Sequence, residues 1–191
     1  RRQRQMCIRD RRNVDRLNLK RRSAFYGDWW DAAARWRTGG FDRLCGAVPA
    51  SPTTADIAAA GIRASLFLNE VHTVRPGSAL NYLAAVVDER VPLMREYGHE
   101  PVGLYEVLGS LTEVVMVWVT TVADQARLRA DRDASHGLGA AGGDPRLAGW
   151  ERRSAEFVTG GTAELMTPLP GTVYGPLSWE DATLYEWLEG A

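Results

Sequence analysis

Residues 66 to 119 constrain this chain more than any other stretch, because they set a strand, a turn, a long amphipathic helix and two further strands in fixed order. Leu66 to Val74 is nine residues rich in β-formers, with Leu66, Leu68, Glu70 and His72 on one face and Phe67, Asn69, Val71 and Thr73 on the other. Both faces carry apolar side chains. Pro76-Gly77 is a turn, and Ser78 is placed to cap a helix whose Leu80, Leu83, Val87, Val91 and Met94 recur in steps of three and four. Tyr97-Gly98 ends it, with glycine where a left-handed cap is wanted. His99 to Val107 and Glu113 to Val119 read as strands around a turn at Gly109 to Thr112. The unbroken run Val114 to Val119 suits a strand covered on both faces.

Thr121 with Asp124 predicts the start of another helix, reaching about Ser135, and Asp144-Pro145 starts one more. A short strand from Glu164 to Leu169 completes a β-α-β-β-α-β order, an α+β fold of the ferredoxin-like kind. Helices on one face of a four-stranded sheet leave the other face in need of a cover, and a second such sheet would supply it.

An internal repeat sets the domain organisation. Thr38-Gly39-Gly40 recurs as Thr159-Gly160-Gly161, and the same offset pairs Tyr26 with Leu147, Trp29 with Trp150, Trp36 with Phe157 and Leu44 with Leu165. Asp15, Leu19 and Lys20 match Asp124, Leu128 and Arg129 at a shorter offset, the difference being a Gly/Ala-rich insertion near Gly137 to Gly143. We expect residues 12–57 to be the C-terminal remnant of a first domain, 58–64 a linker, 65–178 a complete second domain and 179–191 a C-terminal helix or tail. Met6-Cys7-Ile8-Arg9-Asp10 resembles the translation of a transposon end used as a sequencing adaptor. Residues 1–11 therefore read as an artefact or a disordered head.

Composition excludes several classes of partner. The first 22 residues hold ten basic and two acidic side chains, so a chain of formal charge −1 has a body of charge −9. An acidic body argues against nucleic acid or an anionic membrane as partner, and no apolar run approaches the roughly 20 residues of a membrane span. A cytoplasmic location is the expectation. Lys20 stands alone among many arginines, which points to a high-GC bacterial gene. His72, His99 and His136 fall in separate elements without metal-ligand spacing, so neither a metal nor a cofactor is expected. Cys45 reads as a small apolar residue, and Gly137-x-Gly139-x-x-Gly142 follows a charged helix, which makes it a loop rather than a dinucleotide fingerprint.

Glu70 and His72 are the candidate functional pair. Two residues apart on a strand they project the same way, able to contact one bound molecule or to pair at a sheet edge or dimer seam. Tyr105 and Trp118 are the aromatics expected to help shape a cavity wall beside them.

Thr73-Val74-Arg75-Pro76-Gly77, Val91-Pro92 with Tyr97-Gly98, Val102 to Tyr105 with Gly109, Val114 to Trp118 before Ala123-Asp124, and Leu165 to Pro170 together resemble the NIPSNAP family over roughly residues 65 to 178. The resemblance implies the dimeric α/β-barrel superfamily, in which two ferredoxin-like sheets close on each other. It implies self-association through the sheet face, as a homodimer of this chain or an internal pseudo-dimer in a full tandem, with a possible small-molecule ligand in the cavity between the sheets. The family's activity is not settled. Relatives in the superfamily include monooxygenases, some degrading haem, and an acid/base isomerase or lyase using Glu70 and His72 is a further alternative. This chain departs from the family where Leu68, Glu70 and His72 replace a Glu, Arg and Tyr on the first strand, and where Met116 replaces a His before Trp118. Asn69, Trp118 and His136 are the residues a haem reading would need.

Overall fold

The computed structural model describes residues 28, 31–33, 35–36, 43–139, 142–168 and 175. The chain divides into two compact units, Arg1–Asp42 and Arg43–Ala191. In the first, residues 28 and 31–33 are helical, and the expected artefact at residues 1–11 lies outside the described residues, as does the tail at 179–191.

The second unit runs β1 (Cys45–Ala47), α1 (Thr54–Ala59), β2 (Leu66–Val74), α2 (Ala79–Ala85), a π turn (Val86–Arg90), α3 (Val91–Glu96), β3 (Glu100–Val107), β4 (Glu113–Thr120), α4 (Val122–Ser135), α5 (Pro145–Ala155) and β5 (Val158–Met166). The strands form one sheet in the order β1-β3-β4-β2-β5, with every neighbouring pair antiparallel. From β2 onward this is the ferredoxin-like arrangement, in which each helix returns the chain to the sheet's helix-bearing face and β2 and β4 lie side by side at its centre.

Local chemistry explains where the elements start and stop. Thr121 accepts the Asp124 amide at 3.1 Å and Asp144 accepts that of Arg146 at 2.9 Å, so both later helices open on side-chain caps. Gly98 takes φ +73° at the end of α3, in a space where an added Cβ would meet the Asp124 carboxylate at 2.5 Å. Ser78 sits at the start of α2 but makes no cap; its hydroxyl donates back to the Arg75 carbonyl at 2.6 Å.

The main core lies between the sheet and the helices, where Leu68, Leu104, Val114, Met116 and Trp118 meet Tyr82, Val86, Met94, Leu128 and Leu147. The opposite face has a smaller cluster of Ile57, Ala64, Val102 and Val119, so α1 and the segment after it cover one end of that face. Val117 packs against that cluster, and farther along the face Val71, Val115 and Tyr105 are half-buried.

Two elements differ from their sequence reading. The last strand begins at Val158, six residues before Glu164, because Gly160 and Gly161 pair with Thr73 and His72 on β2. A Cβ at Gly161 would lie 2.7 Å from the Val71 carbonyl oxygen, so that approach requires glycine. In the helix, Leu80 is exposed and Val87 only half-buried, while Tyr82, Val86 and Arg90 are buried. The π turn is the reason: its extra residue rotates the stripe, so that Arg90 and Val91 both face inward.

Candidate functional site

Three inward positions on adjacent strands and a helix build one polar cluster. Glu70 of β2 lies opposite Met116 of β4, and Trp118 lies opposite Leu68, which sets Glu70 and Trp118 on the helix-covered face. Arg90 descends on them from the π turn. Its Nη1 and Nη2 donate to the two Glu70 oxygens at 2.7 and 2.8 Å, and the Trp118 indole N–H donates to Glu70 Oε2 at 2.9 Å. The guanidinium also stands 5.0 Å from the Trp118 ring centroid. Glu70 is 6% exposed and Arg90 8%.

Burial of Glu70 pushes its carboxyl upward, but the Arg90 charge and its hydrogen bonds outweigh that and hold it below the ordinary carboxylate value. Burial opposes the charge on Arg90 as well, and Glu70 more than restores it. This is a paired, hydrogen-bonded buried ion pair. Of the three guanidinium nitrogens, Nε finds no partner among the described residues.

His72 occupies the next inward position on β2. Its Nδ1 lies 2.8 Å from the Tyr82 hydroxyl, which in turn is 3.3 Å from Ser154 Oγ on α5. Its Nε2 is 3.9 Å from Glu70 Oε1, beyond hydrogen-bonding distance. Burial lowers the His72 pKa below its ordinary value and Arg90 lowers it further, while Glu70 opposes both without prevailing. His72 is therefore neutral at pH 7. Burial likewise raises the Tyr82 hydroxyl above its usual value.

The structure thus brings Glu70, His72 and Trp118 together but not Tyr105. Tyr105 pairs with Val115, on the face away from the helices, and its ring lies over Gly103, where a Cβ would stand 2.2 Å from Cε2. Glu70 and His72 face the helix layer, so they do not point into a space between two sheets. Asn69 takes the opposite face from Trp118, and His136 sits at the exposed end of α4 on Glu151, 2.5 Å away. The residues of the haem reading are not gathered in one place.

Sequence reasoning missed Arg90, Tyr82 and Ser154. A signal was present: a carboxylate on a buried strand face needs a donor, and Tyr82, Val86 and Arg90 follow one another at intervals of four on the next helix.

No family model matches the sequence, and no curated protein matches it. Among solved structures, the chain is similar to a NIPSNAP family protein from Agrobacterium tumefaciens, at 15% identity and a TM-score of 0.45, over 58% of this chain and 91% of that one. It is similar to an uncharacterized NIPSNAP domain protein from Burkholderia xenovorans, at 18% identity and a TM-score of 0.44, over 56% and 97%. A second Agrobacterium tumefaciens NIPSNAP family protein, described as of unknown function, shares 20% identity at a TM-score of 0.45, over 58% and 93%.

Proposed function

We propose that this chain is a non-enzymatic assembly domain of the dimeric α/β-barrel type, which pairs through the sheet face opposite the main helix layer, beyond the end that α1 covers. One observation supports this above the rest: Val71, Val115 and Tyr105 form an apolar row across three strands on that face, half-buried where α1 leaves off. The polar cluster on the other face favours a scaffold over a catalyst. Glu70 has its oxygens committed to Arg90 and Trp118, so it is not a base in waiting, and it does not form an acid/base pair with His72. Such pairing would bury on the order of 1,200 to 2,000 Å² in total.

Light scattering on the 191-residue protein tests the reading. A dimer is expected, converted to a monomer by Val115→Glu or Val71→Glu with circular dichroism unchanged. A wild-type monomer that binds no hydrophobic dye would overturn it, as would a dimer indifferent to both substitutions.

A further inference from the structure

A groove of about 310 Å³ opens on the outer side of the helix layer, lined by Glu89, Pro92, Leu93 and Glu96 on one wall and Arg146, Gly149 and Trp150 on the other. Its ends are two ion-pair rungs. Arg146 holds both oxygens of Glu96 at 2.9 and 2.7 Å, and Arg153 holds Glu89 Oε1 at 3.2 Å. Glu89 and Glu96 are seven residues apart, as are Arg146 and Arg153, so the rungs tie two antiparallel helices about 10 Å apart along their length. Between them the walls are Pro92 and Leu93 against Gly149 and Trp150.

Gly149 is the informative residue. It lies inside α5, where glycine weakens a helix relative to alanine. No close packing demands it: an added Cβ would meet only Arg152 Nη2, at 4.0 Å. Its bare Cα lines the groove, into which a longer side chain would project.

The window's chemistry selects its occupant. Trp150 stacks inward on Tyr82, with ring centroids 6.1 Å apart, and offers an aromatic surface to the groove. Glu96 spends both oxygens on Arg146, but among the described residues Glu89 spends only Oε1 on Arg153. Around the two rungs stand Glu89, Glu96, Asp144 and Glu156 against Arg146, Arg153 and the adjacent Arg152, and behind Trp150 the Arg90 guanidinium, 5.9 Å from its ring centroid, is balanced by Glu70, which leaves an excess of one negative charge. We propose that this groove binds a small arylalkylamine, its ring between Trp150 and Pro92 and its ammonium donating to Glu89 Oε2. The site is independent of the sheet-face assembly proposed above.

Titration calorimetry with phenethylamine tests it, with phenylacetate as the probe of opposite charge. Phenethylamine should bind at low millimolar concentration or tighter, and phenylacetate at least about 10-fold more weakly. Gly149→Leu should fill the window and cost about 10-fold or more in affinity, and Glu89→Gln about 5-fold. Gly149→Ala should melt no lower than wild type, which separates an occupied groove from a damaged helix. Should Gly149→Leu fail to fold, saturation-transfer NMR of wild type against Glu89→Gln still decides. Absence of phenethylamine binding, equal affinity for phenylacetate, or indifference to both groove substitutions would overturn the proposal.

Discussion

Replacing Arg90 with methionine would remove the guanidinium from a carboxylate that has almost no access to water. Glu70 would keep the Trp118 N–H and lose both charge-assisted bonds, those of 2.7 and 2.8 Å. Removing one partner of a buried ion pair costs about 3–5 kcal/mol, because the remaining charge stays buried without compensation. For a unit of this size each kcal/mol moves the midpoint by about 2–4 °C, so Arg90→Met should melt about 6–20 °C below wild type. Methionine keeps the helix propensity and the apolar stem, so lost charge rather than lost packing is what the experiment reads. Adding Glu70→Gln to the variant removes the stranded charge and keeps an oxygen for Trp118, and should recover about 2 kcal/mol. Urea denaturation followed by circular dichroism at pH 7.5 measures all three proteins. Acid supplies an internal check: the gap between wild type and Arg90→Met should narrow as pH falls, because a protonated Glu70 is cheaper to bury alone. An Arg90→Met variant within about 1 kcal/mol of wild type, or a double variant no more stable than the single, would refute this account of the cluster.

Two further outcomes follow from the geometry. The folded His72 pKa is depressed, so the unfolded chain binds the proton more readily; the contribution of His72 is complete above about pH 6.5 and is lost as pH falls below it. His72→Gln should remove up to about 1.4 kcal/mol per pH unit of that slope, read as the difference between urea midpoints of the two proteins from pH 7.5 to 5.5. Gly103→Ala should cost about 1–3 kcal/mol by driving a methyl into the Tyr105 ring, and adding Tyr105→Ala should return part of the loss; equal thermal midpoints for wild type and Gly103→Ala would show that the ring moves aside freely.

The sheet was legible because its signals are short-range. Alternation set the faces of β2, and the capping residues Thr121 and Asp144 marked their helices. The π turn was not, since counting in steps of three and four assumes a regular helix, and one extra residue between Val86 and Arg90 defeats the count. Arg90 was invisible for a second reason: a charged residue on a helix is assigned to solvent by default, and only its long-range partner Glu70 reverses that. The start of β5 was hidden by Gly160 and Gly161, which carry no strand-forming side chain and serve a close backbone approach. Tyr105 was grouped with the site because a strand's two faces can be told apart only once its register with β4 is known.

The two rims of the sheet are unequal. Among the described residues, the outermost strands are β1, three residues long, and β5, nine residues long with Leu165 and Met166 half open to solvent. A three-residue rim gives an incoming strand little to grip, whereas β5 presents a full-length row of backbone donors and acceptors. Two copies meeting β5 to β5 would consume that row and, among the described strands, leave the short β1 rims outside. Among the described residues, the two rims thus offer an incoming strand very different lengths of backbone to extend.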